Sequence, residues 1–333
     1  MNLVWNYCGN VQNQARRWGR RWPSKFDLFN LTAGTCKEID LHAHTVQATI
    51  AGFVQSRDRH KKRPTWRKAS GSKRSLGWIP FPQPNSISLR SAYVVYQRIF
   101  YPIWLHRPIQ GKIKCGSFNE DSRGRWWINL TCEIEDQTTP IGTEELGIDL
   151  GLKDLATLST GEKLENPRHY RREERNLAKA QRAGRKDRSR AIHQKIKNRR
   201  KHDLNVSTYR LIKRSKSIFV GNVSSSKLTQ TRMAKSVNDV GWYEFKKQLR
   251  YKAIRHAVVF KEIDESYSSQ TCSNCGSLPD SRPRGIADLG VRQWDCTDCG
   301  AHHGRDVNAA RNILLSGLSA GLRETGSSLG LVG

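Results

Sequence analysis

Apolar positions recur at helical spacing over Asn2 to Arg17 and His42 to Ser56, with a loop through Pro23 and Gly34 between them. Residues 1–60 are therefore expected to form a small helical unit. A Lys/Arg-rich stretch from Arg57 to Arg74 follows, and beyond it the period shortens to two. Ile113 to Phe118 and Arg125 to Ile134 alternate between turn residues, which predicts an antiparallel, barrel-like β-rich unit over residues 61–139. From Leu146 onward, strand-like runs (Leu146 to Leu150, Ile218 to Val223, Ala257 to Ile263) alternate with long helical segments, as α/β layering requires. This change of texture predicts a domain boundary near residue 140. The segment GRDVNAARNILLSGL starts with a plausible cap and sets Val307, Ala310, Leu314 and Leu318 on one helical stripe. After Gly317 the chain is rich in Gly and Ser, and residues 318–333 are expected to be a disordered tail.

Charge changes the picture more than length does. The chain has 333 residues, enough for two or three compact units, and 58 Lys plus Arg against 30 Asp plus Glu give a net charge of +28. A polyanion is the natural partner for such an excess spread along the chain. It is densest between Arg168 and Lys201, where fifteen basic residues face only Glu173, Glu174 and Asp187. A salt-bridged helix would alternate signs. Arg171, Arg172, Arg175, Lys179, Arg182, Arg185, Lys186, Lys195, Lys197, Arg199 and Arg200 are accordingly expected to track a phosphate backbone. Trp18, Trp22 and Trp66, interleaved with the other basic patches, are placed either to stack on bases or to fill a core. No run near 18 apolar residues, signal peptide or lipidation motif is present, so no membrane partner and a cytoplasmic location are expected.

Two motifs carry chemistry. CSNC, twenty intervening residues and CTDC offer Cys272, Cys275, Cys296 and Cys299 at the spacing of a closed tetrahedral zinc site, a structural role with no position left for substrate. His302 and His303 lie just beyond and are expected at the surface or in contact with nucleic acid. In LGIDLG, alternation puts Leu146, Ile148 and Leu150 on one face of a strand and Gly147 and Asp149 on the other. LATLSTGE reads as the return strand of a hairpin. An Asp in mid-strand is costly unless something binds it, and Asp306 opens the last helix, where a plain cap explains it equally well.

GIDLGLKDLATLSTGE, MAKSVNDVGWYEFKKQLRYKA, SYSSQTCSNCG, CTDCG and GRDVNAARNIL together resemble the C-terminal half of the TnpB/OrfB family, transposon-encoded RNA-guided nucleases related to type V CRISPR effectors. The likeness is strong over residues 140–317 and weaker over 1–139, through NLVWNY and the strand-rich segment. It implies an RNase H-like (RuvC) nuclease domain over 140–317, with a basic helical insertion at 168–202 and a zinc ribbon at 270–301. Residues 1–60 would be a recognition-like unit lacking the strand that family members carry ahead of NLVWNY. Further implications are guide RNA and target DNA as partners and two catalytic Mg2+ ions. The ions would be held by an Asp on the first strand, a Glu on a later strand and an Asp on the last helix. Asp149 and Asp306 match the two Asp positions.

The Glu position does not match, because SIFVGNVSS places Gly221 there. On the next strand-like run, VVFKEIDESY, Glu262 shares a face with Val258, Phe260 and Asp264, and is the first choice for a relocated ligand reaching across Gly221. Glu265 is the second choice and Glu244 a distant third. Two other readings follow: an RNA-guided DNA-binding protein that has lost cleavage, and a transposase or accessory protein. The ribbon, lying between VVFKEIDESY and the helix of Asp306, is expected to brace the acidic centre.

Overall fold

The structure, a computed structural model, describes residues 1–71, 73–223, 230, 233–284, 288 and 290–327. It divides into two compact units, Met1–Glu135 and Asp136–Gly333. The helical and β-rich segments expected to be separate thus form one unit. Helices α1 (Asn2–Arg17), α2 (Lys25–Leu31), α3 (Thr35–Glu38) and α4 (Ala43–His60) bury Val4, Cys8, Leu28, Val46, Ile50 and Phe53. Ser24 and Asp27 cap α2 reciprocally. The joint to the strands is polar and buried: the Thr45 hydroxyl on α4 donates to the Pro80 carbonyl at 2.9 Å. Strands β1 (Trp78–Phe81), β5 (Lys112–Glu120) and β6 (Trp126–Glu133) form an antiparallel sheet in the order β1-β5-β6. A second three-stranded sheet consists of β2 (Ile87–Leu89), β3 (Tyr93–Tyr96) and β4 (Ile99–Pro102).

The second unit is built on a five-stranded sheet. Its strands are β7 (Glu144–Leu150), β8 (Asp154–Leu158), β9 (Lys163–Glu165), β10 (Ser215–Gly221) and β11 (Val259–Ile263), in the order β11-β10-β7-β8-β9. The first three form an antiparallel meander, whereas β10 runs parallel to β7 and β11 parallel to β10. Each parallel step needs a crossover. The first is α5 (His169–Arg182) and α6 (Lys186–Arg214), closed on one another by Leu177, Ala180, Ile192 and Ile196. The basic insertion thus extends past residue 202, to Arg214. The second crossover includes α7 (Ala234–Val240) and α8 (Trp242–Arg255).

One face of the sheet carries the core, in which Leu146, Ile148, Ile218 and Val220 pack with Leu211, Phe245 and Leu249. The other face receives α9 (Arg305–Ser327). Two glycines permit the close approach. A Cβ on Gly147 would stand 2.0 Å from the Ala310 carbonyl oxygen, and one on Gly317 would stand 2.2 Å from the Phe219 ring. The helix runs on to Ser327, so the disordered tail expected from residue 318 is instead helical as far as it is described. Residues 328–333 lie outside the described residues. Strands β12 (Gln293–Asp295) and β13 (His302–Gly304) form a small hairpin that leads directly into α9.

Candidate active site

Strand parity decides which acids meet. Val220 stands opposite Ile148 on β7 and Glu262 on β11, and Gly221 stands opposite Ile263. Directly opposed residues share a face of the sheet, and successive residues alternate. Gly147, Asp149, Phe219, Gly221 and Ile263 therefore face α9, while Ile148, Val220 and Glu262 face the core beneath α8. Two residues beyond Ile263, Glu265 returns to the α9 side: a Cβ built on Gly221 would lie 2.6 Å from Glu265 Oε2 and 3.3 Å from Ile313 Cδ1. Asp306 stands in the first turn of α9.

Asp149 feels the other two carboxylates. Burial pushes Asp149 up to about 8, the charges of Asp306 and Glu265 push it the same way, and Arg305 opposes them. Glu265 is also raised, first by burial and further by Asp264, with Lys246 opposing. Its Oε2 is buried and accepts no hydrogen bond. A buried carboxylate oxygen left without a hydrogen bond is the arrangement a hard cation completes. Arg292, just ahead of β12, reaches Asp306 at 3.7 Å. The charge pattern of the sequence alone gave no signal for Arg292.

Glu262, the first choice for the third acid, is instead engaged on the opposite face. Lys246 Nζ donates to its Oε2 at 2.7 Å, and Arg250 donates to its Oε1. The reason is register: Glu262 pairs with Val220, not with Gly221, so it cannot reach across the glycine. Glu244 accepts from Gln248 one turn along α8 and stands apart from the acids. Glu265, the second choice, occupies the space that Gly221 leaves.

The four cysteines converge as their spacing predicts. All are free thiols, their sulfurs lie within 4.8 Å of one another, and Cys272–Cys299 and Cys275–Cys296 are separated by 3.7 and 3.8 Å. Tetrahedral sulfurs about 2.3 Å from zinc stand about 3.8 Å apart, so the set fits a structural zinc ion. Among the described residues it is the one group of three or more His, Cys, Asp and Glu ligand atoms set so closely. His303 is not at the surface. It is 3% exposed, stacks 4.8 Å from Trp294 and brings Nε2 to 3.0 Å from Cys272 Sγ. His302 is exposed and pairs with Asp295 at 2.7 Å. Asn308 and Asn312 on α9 each donate 2.7 Å bonds to the Thr271 carbonyl, next to Cys272, and the Ser273 amide donates back to Asn308.

On the α5–α6 hairpin, Arg172, Arg175, Lys179, Arg182, Arg185, Lys186 and Lys197 are exposed and have no acidic partner among the described residues. Arg171 is paired with Glu174, and Lys195 and Arg199 share Glu173. Arg200 is engaged by the Asn238 carbonyl at the end of α7, so it serves helix packing rather than an open surface. Trp18, Trp22 and Trp66 are exposed, not core residues. No helix among the described residues is long and apolar enough to cross a membrane.

Comparison with known proteins places these features in a wider group. A family model described as "Cas12f1-like, TNB domain" matches residues 242–313, and one described as "Probable transposase", OrfB_IS605, matches residues 129–232. A "Putative RNA-guided DNA endonuclease" of Streptomyces pristinaespiralis is 38% identical over 216 residues, covering 61% of this chain and 52% of that protein. The "Putative RNA-guided DNA endonuclease InsQ" of Escherichia coli (strain K12) is 27% identical, covering 66% of this chain and 62% of its own length. The "CRISPR-associated endodeoxyribonuclease Cas12f1" of Sulfoacidibacillus thermotolerans is 26% identical, covering 74% and 64%. The chain spans 52% to 64% of the length of these three relatives.

Proposed function

Because the chain belongs to the TnpB/OrfB family, related to the type V CRISPR effectors, we propose that it is an RNA-guided DNA endonuclease whose second unit is a RuvC-like nuclease of the RNase H class. The observation that carries this reading is the filling of the Gly221 gap by Glu265, whose buried, unpartnered oxygen joins Asp149 and Asp306. The sheet order, an antiparallel meander extended by two parallel strands, supports the fold assignment. A glycine at 221 alone would favour a protein that binds without cutting. Glu265 in its place favours the active enzyme.

Asp149, Glu265 and Asp306 would hold two Mg2+ ions, which when bound activate a water and stabilise the leaving oxygen of a phosphodiester. The chain's own residues set the stage: Gly147 lets α9 bring Asp306 down to β7, and Arg305 limits the repulsion at Asp149. The cysteine cluster fixes the hairpin that precedes Asp306. The seven exposed cations of the α5–α6 hairpin offer a sequence-tolerant hold on phosphates. That suffices where a guide RNA reads the target by pairing.

The test is to purify the protein with its bound RNA, sequence that RNA, and assay cleavage of matching duplex DNA with Mg2+. A discrete RNA species and cleavage that Asp149→Ala abolishes are expected. Random cellular RNA would overturn the guided reading, and specific binding without any cutting would establish the inactive one.

A further inference from the structure

We propose that Gly221 and Glu265 form one steric unit, a position beside Asp149 with room for a single carboxylate that either the end of β10 or the segment after β11 can supply, but not both together. The proposal rests on reading the α9 face as a metal site.

The geometry is direct. Val220 is opposite Ile148, so Gly221 is the next residue along, level with Asp149 and on its face. A Cβ on Gly221 would meet Glu265 Oε2 at 2.6 Å, Ile313 Cδ1 at 3.3 Å and Glu265 Cβ at 3.4 Å. Gly221 is not among the glycines with positive φ, so any L residue suits its backbone. What glycine contributes there is space, and Glu265 uses it. The nearest atom is the free end of a flexible side chain, so a methyl group at 221 displaces the carboxylate without breaking the strand. A glutamate at 221 projects into the same volume from the neighbouring strand. With both acids present, two like charges would share a buried pocket, and one would be expelled or protonated.

Exchange of the acid between positions tests this. Mn2+ binding to the RNA-bound protein is measured by calorimetry, with Mg2+-dependent cleavage and the thermal midpoint in parallel, for Glu265→Ala, Gly221→Ala, Gly221→Glu and the double variant Gly221→Glu/Glu265→Ala. Glu265→Ala is expected to weaken Mn2+ binding by at least about tenfold, and Gly221→Ala by several-fold, roughly the range seen when groups that orient a ligand are disturbed. The double variant should recover binding to within a few-fold of wild type and exceed both single glutamate variants. A folded double variant no better than Glu265→Ala overturns the proposal. If the double variant does not fold, undiminished Mn2+ binding in Gly221→Ala overturns it equally. Failure of the underlying reading looks different: in that case Asp149→Ala also leaves Mn2+ binding unchanged.

Discussion

Asp149 shows how one buried carboxyl makes stability and metal binding depend on pH in opposite senses. Its pKa is raised to about 8, from an ordinary value of 3.8. Between those values the folded, metal-free protein holds a proton that the unfolded chain releases. The contribution of this group to stability is thus greatest at low pH and is lost as pH rises through about 8. Asp149→Asn should flatten that slope and stabilise the metal-free protein at pH 8 by about 1–3 kcal/mol, the order mutational data give for polar burial, because it removes a charge that desolvation and the neighbouring acids disfavour. Urea unfolding across pH in the presence of a chelator measures both effects. Divalent-ion affinity should run the other way, strengthening toward pH 8, since binding must expel the proton. An unchanged pH slope in Asp149→Asn would mean that the charge is not buried among acids. The two strand-end glutamates separate just as cleanly. Glu262→Gln should leave cleavage within about threefold of wild type and cost about 1 kcal/mol through its part-exposed pairs with Lys246 and Arg250. Glu265→Gln should lower cleavage on the order of a hundredfold or more, since it removes several kcal/mol of charge stabilisation.

That separation also marks how far the sequence could be read. Alternation within β7 placed Asp149 opposite Leu146 and Ile148, and alternation within β11 grouped Glu262 with Phe260, both as observed. Which face of β11 joins which face of β7 depends on register across β10, and a shift of one residue exchanges the faces completely. No pattern within a single strand contains that information. The tight αβ contact was hidden for a similar reason: Gly147 and Gly317 look like ordinary breaks until α9 is laid on the sheet. The cysteines needed no such help, because ligand spacing in CxxC is local. Their mechanical role does depend on the fold. Asn308 is 1% exposed and, with Asn312, ties α9 to the Thr271 carbonyl beside Cys272, two residues along from Asp306. Zinc removal is therefore expected to abolish cleavage with Mg2+ still supplied, by releasing the start of α9. Asn308→Ala should cost about 1–3 kcal/mol through the buried partners it leaves unpaired, and should lower cleavage even with zinc bound. Full cleavage after complete zinc chelation would show that the cluster only stabilises its own loop.

The charge of the whole molecule, +28, becomes a measurable property through the α5–α6 hairpin. Composition pointed to this segment, but the structure sorts its cations into two kinds. Arg171, Lys195 and Arg199 are already paired with Glu173 or Glu174, and Arg200 is engaged by a carbonyl, so their removal disturbs the protein before it disturbs a ligand. Arg172, Arg175, Arg182 and Lys186 are exposed and without an acidic partner among the described residues, and are therefore available to phosphates. Each phosphate neutralised by a protein cation releases condensed counterions, which sets the slope of log K against log salt at roughly 0.7 to 0.9 per contact. Substituting Gln at Arg172, Arg175, Arg182 and Lys186 together should reduce that slope by up to about 3 and weaken binding similarly for all sequences. The thermal midpoint should barely move, because lone surface charges carry little stability. The matching control is Arg171→Gln with Lys195→Gln, which breaks two ion pairs and should change the salt slope far less. Titrations of a guide–target duplex from 50 to 300 mM salt, for both variants, distinguish these outcomes. Equal slopes in the two variants would mean that position on the hairpin, rather than freedom from an internal partner, decides which cations meet nucleic acid.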